Sequence, residues 1–554
     1  MATVADLIVT HLMDAGVRAL FGVPGGGSNL DLIAAAGRAG LPFVLTATET
    51  AGAIAAIAQT EVTGAPGACL TTLGPGAASV VNGVACAFLE RAPLVVFTDS
   101  YPTSAGAVFE HQRIDHAAML GPITKSSETL TADNALQAIT RTLHRATHGQ
   151  PGPVHLDCPG DVAAAMTPTT GATAVLSLRS SLRPYDPAGL EALLSRSRNP
   201  LLLAGLGVSR LRPFGASAGQ GPGSDEGQTT FARIFALAEL CERRSIPAMV
   251  TYKAKGVIPD DHPWFGGVFT NAAIEQPLID DSDLLIGVGL DPVELIPRAW
   301  KRRQPIVYFG GWPVDDGHVP FEFQNVSPPA DHLALLERTL AASEWDASVV
   351  ARHVQRQHER IARRDDVGFT AQRVVETAAR RLASIAAHVT VDAGAHMFPA
   401  TVLWPVCRPN QMLISNGLST MGFALPAAVG AALLDRSKPV VALTGDGGLL
   451  MCSGELLTAA RERLPIITIV FNDDSLSLIE IKQQARKLAP AGVALGGIDW
   501  LVIARGFGLQ AWSASNEGEL ERAIDAALDC HGPALIEARI DRSNYGKTMR
   551  AVRG

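Results

Sequence analysis

From end to end the chain alternates short β-branched or apolar runs with alanine-rich helical stretches, a pattern that points to parallel sheets covered by helices. The first third reads as a helix over Val4–Ala15, a strand over Ala19–Phe21 and the glycine turn Gly22-Val23-Pro24-Gly25-Gly26-Gly27. Strands follow at Phe43–Thr46, Ala68–Thr71, Leu94–Thr98 and Val154–Asp157, with helices such as Ala51–Glu61 and Ala77–Leu89 between them. The stretch Pro159–Pro187 has little periodicity and many Thr, Ser and Pro, so it reads as a linker. A second unit opens at Pro200, has strands near Ala248–Thr251, Leu284–Gly289 and Ile306–Phe309, and carries an exposed Gly/Ser-rich loop at Gly215–Gly227. Charged helical sequence at Val350–Asp366 leads to a third unit. Its strands are Val389–Asp392, Met412–Ser415, Val440–Thr444, Ile466–Phe471 and Ala534–Arg539. The pattern predicts three doubly wound α/β domains with parallel sheets, over 1–165, 190–345 and 370–554.

Composition narrows the class. At 554 residues, with 47% hydrophobic and 18% charged residues, the chain is globular and too long for one core. No apolar run reaches the roughly 18 residues of a membrane span, and Met1–Asp6 lacks the basic start and apolar block of a signal peptide. Net charge is -8, with basic residues scattered apart from pockets such as Lys301-Arg302-Arg303, which disfavours nucleic acid as a partner. The seven cysteines are odd in number and widely spaced, with no CxxC pair for zinc. They read as buried reduced thiols of a soluble cytoplasmic protein.

The most informative segment is Val440-Val441-Ala442-Leu443-Thr444-Gly445-Asp446-Gly447-Gly448, a strand ending in an acid flanked by glycines, before a helix expected at Ser453–Arg463. Ligands of open parallel sheets bind at the carboxyl ends of strands, where Asp446 stands. Gly447 and Gly448 allow close backbone approach of a phosphate. The next strand ends in Asn472-Asp473-Asp474-Ser475, so Asp473 follows Asp446 by the length of one strand–helix–strand unit. Two carboxylates on neighbouring strands repel unless a hard divalent cation joins them, and such a cation completes its octahedron with phosphate oxygens and water.

Gly-Asp-Gly followed at this distance by Asn-Asp resembles the motif of the thiamine diphosphate (ThDP) enzymes. Phe21-Gly22-Val23-Pro24-Gly25-Gly26 resembles the opening of their pyrimidine-binding domain, and Thr48-Glu49-Thr50-Ala51-Gly52-Ala53 their activating-glutamate segment, with Thr48 where many members have His. Leu73-Gly74-Pro75-Gly76-Ala77 resembles their Gly-Pro-Gly turn, and Ser419-Thr420-Met421-Gly422-Phe423-Ala424-Leu425-Pro426 the segment that bends the cofactor. The resemblance spans essentially the whole chain and implies pyrimidine, middle and diphosphate domains in that order.

By this resemblance Glu49 contacts the aminopyrimidine and starts the proton relay that activates ThDP. Met421 wedges between the rings, and Pro75, Gly447, Gly448 and Ser477 line the cofactor. His396 follows a strand end and faces the diphosphate, although Ala395 replaces a residue often polar in relatives. Asp446, Asp473 and the Ser475 carbonyl ligate Mg²⁺. Glu110-His111-Gln112-Arg113-Ile114-Asp115 and Gly289-Leu290-Asp291-Pro292-Val293-Glu294 are similar to the flavin-free catabolic acetolactate synthases, which also have Asp at position 473. There His111 borders the pocket and Gln112 reaches the reacting carbonyl. The implied reaction is decarboxylation of a 2-oxo acid with carboligation of the resulting enamine to a carbonyl acceptor, with no FAD. A simple 2-oxo acid decarboxylase, an acyloin or 2-hydroxyacyl lyase and a non-catalytic homologue are the competing readings. The implied assembly is a homodimer or homotetramer with shared active sites. Donor, acceptor and the roles of Glu480 and Lys482 stay open.

Overall fold

A computed structural model describes residues 2–105, 108–168, 186–209, 236–362 and 368–553. Three six-stranded sheets organise them, and every strand pair within each is parallel. The first sheet runs, in spatial order, Phe43–Leu45, Leu20–Gly22, Gly67–Thr71, Leu94–Ser100, Val154–Pro159, Ser127–Thr129. The third runs Met412–Ile414, His388–Val391, Val440–Gly445, Ile466–Asn472, Ala534–Arg539, Gln510–Ala514. Numbered within its own domain, each has the strand order 2-1-3-4-6-5. The middle sheet, from Phe265–Val268 through Pro200–Ala204 and Leu284–Val288 to Phe323–Val326, has the order 3-2-1-4-5-6. All three orders reverse direction next to their first strand, which opens a crevice at the strand carboxyl ends. In the third sheet that crevice lies between the strands that end just before Asp392 and at Gly445.

The core explains the alanine-rich helices. Glu49–Thr63 packs along Ala424–Ala432, and small side chains on both bring the first and third domains together. Gly430 marks the tightest point, because a Cβ there would lie 2.1 Å from the Ala55 carbonyl oxygen. Among the described residues no helix is long and apolar enough to cross a membrane.

Several boundaries differ from the sequence reading. The helix expected over Ala77–Leu89 is two, Pro75–Ser79 and Val81–Leu89. The helix expected over Ser453–Arg463 starts earlier: Asp446–Cys452 comes first, then Glu455–Arg461. Asp446 itself is the first helical residue, and its carboxylate Oδ1 accepts from the Gly447 amide at 2.7 Å. In the three six-stranded sheets, four strands had no counterpart in the pattern: Ser127–Thr129, Phe265–Val268, Phe323–Val326 and Gln510–Ala514. The linker expected at Pro159–Pro187 has a described part in which Met166–Thr167 pairs antiparallel with Ala2–Thr3. Its residues 169–185 and the loop Gly215–Gly227 lie outside the described residues.

Candidate active site

Parallel pairing of Val440–Gly445 with Ile466–Asn472 puts Gly445 opposite Phe471, so Asp446 and Asp473 leave the sheet side by side. The Asp473 amide donates to Asp446 Oδ2 at 3.1 Å. Asp473 Oδ1 accepts from the Ser475 amide at 3.1 Å, and its Oδ2 accepts from the Ser477 hydroxyl at 2.8 Å. Ser475 is buried, and its own hydroxyl donates to Glu480 Oε2 at 2.9 Å. Arg542 donates to the same Glu480 oxygen at 2.9 Å, so Glu480 pins the acidic loop from outside. Lys482 lies two residues further along the helix Ser477–Ala485.

Electrostatics mark this pair as unfinished without a cation. Burial raises Asp446 above the usual carboxylate range. Burial, then the charge of Asp446, pushes Asp473 up to about 7. Oxygen donors of this kind suit a hard cation such as Mg²⁺. Next to them His396 is buried and stacks on Phe471 at 4.9 Å between centroids. Burial lowers this imidazole to about 4, and its Nε2 has no hydrogen-bond partner in the protein. An orphaned buried nitrogen beside two carboxylates and a helix start is the donor environment expected around a metal-bound diphosphate.

Glycines keep the space open. A Cβ on Gly447 would lie 2.5 Å from Leu476 Cδ2 and 3.5 Å from Met421 Cε, so the Met421 tip reaches the acidic helix start. A Cβ on Gly448 would meet Asp392 Oδ2 at 2.5 Å. Asp392 was read only as a strand end, yet it organises the site. Its carboxylate accepts from Thr444 Oγ1 at 2.9 Å and from the amides of Gly422 and Phe423 at 3.1 and 3.3 Å. Burial raises Asp392 to about 6 despite those donors. Like Asp446, Asp392 is an acid at a strand end beside the crevice.

The remaining predicted residues form a second group in the first domain. Glu49 is half-buried and begins its helix behind the N-cap Thr48. A Cβ on Gly76 would lie 3.2 Å from Glu49 Oε1, and one on Gly74 would lie 2.6 Å from the Gln112 carbonyl oxygen. Pro75 stands between those glycines, so the Gly74–Gly76 turn separates Glu49 from Gln112. Gln112 adopts φ 57° on an exposed turn. His111 is exposed there too, its carbonyl held by the Tyr101 hydroxyl.

Two buried acids absent from the sequence reading join the domains. Glu455 Oε1 accepts from the Ala47 and Thr48 amides at 2.8 and 3.3 Å, directly before Glu49. Glu90 Oε1 accepts from the Gly417 amide at 2.8 Å, while Lys253 of the middle domain donates to Glu61 at 2.5 Å and to the Ile414 carbonyl at 2.8 Å. A buried ion cluster of the first and middle domains thus grips the backbone of the segment leading to Met421. Nothing local in the sequence signals these long-range partners.

In the metal-free protein Asp473 holds its proton to about 7, whereas the unfolded chain releases it near 4. The folded state therefore loses stability as the pH climbs through that window. Chelated Asp473→Asn should melt about 2–4 °C above chelated wild type at pH 8, with the gap closing by pH 4, in thermal-shift measurements. Equal melting temperatures at pH 8 would refute the electrostatic description of the pair.

Comparisons with known proteins agree with the geometry. The family "thiamine pyrophosphate enzyme" matches in three parts: its N-terminal TPP binding domain over residues 2–119, its central domain over 228–315 and its C-terminal TPP binding domain over 392–538. The chain is 29% identical to a catabolic acetolactate synthase of Raoultella terrigena over 565 residues, covering 97% of this chain and 95% of that protein. It is 27% identical to an acetolactate synthase of Bacillus subtilis, covering 98% and 93%. A probable 2-ketoarginine decarboxylase of Pseudomonas aeruginosa is 28% identical, covering 97% and 94%.

Proposed function

Because this chain belongs to the thiamine pyrophosphate enzyme family and is a ThDP-dependent enzyme, we propose that it decarboxylates a 2-oxo acid and joins the remaining acyl unit to a carbonyl acceptor. The observation that carries this reading is the buried Asp446 and half-buried Asp473, paired beside the orphaned His396 nitrogen. Those residues fit a divalent cation and the diphosphate it would hold. Asp446, Asp473 and the Ser475 carbonyl would ligate Mg²⁺. His396, Gly447 and Gly448 would face the diphosphate, Ser477 would orient Asp473, and Met421 would set the cofactor's bend. Bound ThDP supplies a carbon nucleophile and an electron sink. Glu49 would hold the proton that starts activation, a task for a carboxyl partly shielded from water. Pro75 would border the same pyrimidine pocket. His111 and Gln112 would enclose the acceptor, so that ligation takes place between positioned partners. The domains would divide at 1–165, 190–345 and 370–554.

The middle domain supports a flavin-free enzyme. A dinucleotide phosphate would sit at the turn after the first strand of such a sheet. Here Glu294 Oε2 accepts from the Leu206 amide at 2.8 Å, and a Cβ on Gly205 would meet that oxygen at 2.8 Å. The Glu294 carboxyl, raised by burial to about 8, occupies the place a phosphate would take. A simple decarboxylase is the second reading, favoured by the likeness to the probable 2-ketoarginine decarboxylase. The two readings part at Gln112. Under carboligation, Gln112→Ala should lower 2-hydroxy ketone or acetohydroxy acid formation about tenfold while CO₂ release changes less than threefold. Aldehyde as the sole wild-type product, or a flavin absorption band in purified protein, would overturn the proposal.

A shared site between copies completes the reading, as a homodimer or homotetramer with small-molecule substrates and no nucleic acid or membrane partner. It is supported by exposed Leu450, Met451 and Leu457, 47–60% accessible on the helices that follow Asp446. Mixing inactive Glu49→Ala and Asp446→Ala chains should restore activity, and a fully active monomer in sedimentation would exclude sharing. Seven unpaired cysteines support a cytoplasmic location.

A further inference from the structure

We propose that His116, oriented by Asp157, is a positioning residue that fixes the Gly74–Gly76 turn between Glu49 and Gln112. The inference rests on the proposed role of Glu49 but concerns a side chain that touches neither cofactor nor substrate. His116 opens the short helix His116–Leu120 and is 6% exposed. The Gly74 amide donates to its Nε2 at 3.1 Å. A backbone N–H can only donate, so Nε2 carries the lone pair and Nδ1 carries the proton. That proton goes to Asp157 Oδ1, 2.8 Å away at the end of Val154–Pro159.

The surrounding groups admit this arrangement throughout. The Thr98 hydroxyl donates to the same Asp157 oxygen, which leaves the Thr98 oxygen to accept from His155 Nε2 at 2.7 Å. The Ser127 hydroxyl then donates to His155 Nδ1 at 2.7 Å. Both imidazoles are neutral in this scheme, every donor has an acceptor, and the chain converges on one carboxylate. Burial would raise Asp157, but the hydrogen bonds from His116 and Thr98, with the His155 ring nearby, hold the group well below the usual range.

What the network holds is a turn with no slack. Gly74 has φ 62°, a conformation costly for residues with a Cβ, and any Cβ there would strike the Gln112 carbonyl oxygen at 2.6 Å. Two residues later Gly76 sits against Glu49, where a Cβ would be 3.2 Å from Oε1. A shift of the turn away from His116 would therefore move the walls of both Glu49 and Gln112. Displacements near one ångström at reacting groups cost about a hundredfold in rate.

The test compares His116→Phe, which removes the acceptor, with His116→Gln, whose Oε1 can accept from Gly74 while its amide donates to Asp157. In cofactor-free protein, His116→Phe should speed hydrogen exchange of the Gly74 amide at least tenfold, and His116→Gln less than threefold. In loaded enzyme, His116→Phe should lower kcat about 10- to 100-fold with KM and the ThDP Kd within threefold, and His116→Gln should restore most of kcat. Unchanged Gly74 exchange in His116→Phe, or Gln falling as far as Phe in both readouts, overturns the proposal. Should wild type fail to bind ThDP, the functional reading falls while the exchange measurement still decides the role of His116.

Discussion

Asp446→Asn should weaken ThDP binding by at least about 100-fold in calorimetry with Mg²⁺ present, roughly 3 kcal/mol. Asp446 is the one acid at the carboxyl end of its strand that begins a helix, touches the Asp473 backbone and lies beside the unpartnered His396 nitrogen. Removing even an outer-shell partner of a metal ligand typically costs 10- to 100-fold, and loss of a ligand costs more. The same loss should follow treatment of wild type with chelator, because the diphosphate would then meet two carboxylates with no cation between them. Restoration by Mn²⁺ as well as Mg²⁺ is expected, since both accept octahedral oxygen ligands. Tight ThDP binding in chelator would contradict the metal assignment.

Glu49→Gln should lower kcat by about 10²–10⁴ with ThDP affinity within threefold of wild type, the range for loss of a positioned proton-transfer group. The amide keeps the shape that fits beside Gly76 and removes only the ionisable carboxyl. Stopped-flow binding and steady-state kinetics separate the two effects. Equal kcat in Glu49→Gln would remove Glu49 from the reaction.

How much of this was legible in the sequence depends on the range of the forces involved. Central strands such as Val440–Gly445 and Ile466–Asn472 are buried throughout, so their apolar runs announce them. The four unanticipated strands of the six-stranded sheets are all edges, including Ser127–Thr129 and Gln510–Ala514. An edge strand has one hydrogen-bonded neighbour and tolerates polar residues and glycines, and these four carry them. The edges Phe43–Leu45 and Met412–Ile414, by contrast, are apolar and were legible. The helix was expected only from Ser453, but Gly447 and Gly448 already sit inside the helix Asp446–Cys452, where Leu476 and Asp392 leave no room for a Cβ.

Linear motifs singled out Glu49, Asp446 and Asp473, and the two aspartates bond each other across neighbouring strands. Asp392 binding the Gly422 amide, Glu455 binding the Ala47 amide and His116 binding the Gly74 amide join distant segments. Hydrogen bonds of that kind are decided by tertiary packing and carry no local periodicity. They are also what holds the motif residues in place.

The central claim is that one chain type uses ThDP and a divalent cation to decarboxylate a 2-oxo acid and ligate the product. Incubating purified protein with a panel of 2-oxo acids, with and without Mg²⁺ and ThDP, and measuring CO₂ together with all carbon products tests it most directly. The account predicts metal- and ThDP-dependent CO₂ release with a 2-hydroxy ketone or acetohydroxy acid as the main product for at least one oxo acid. CO₂ release that persists without ThDP and metal, or no ligated product from any oxo acid, would contradict it.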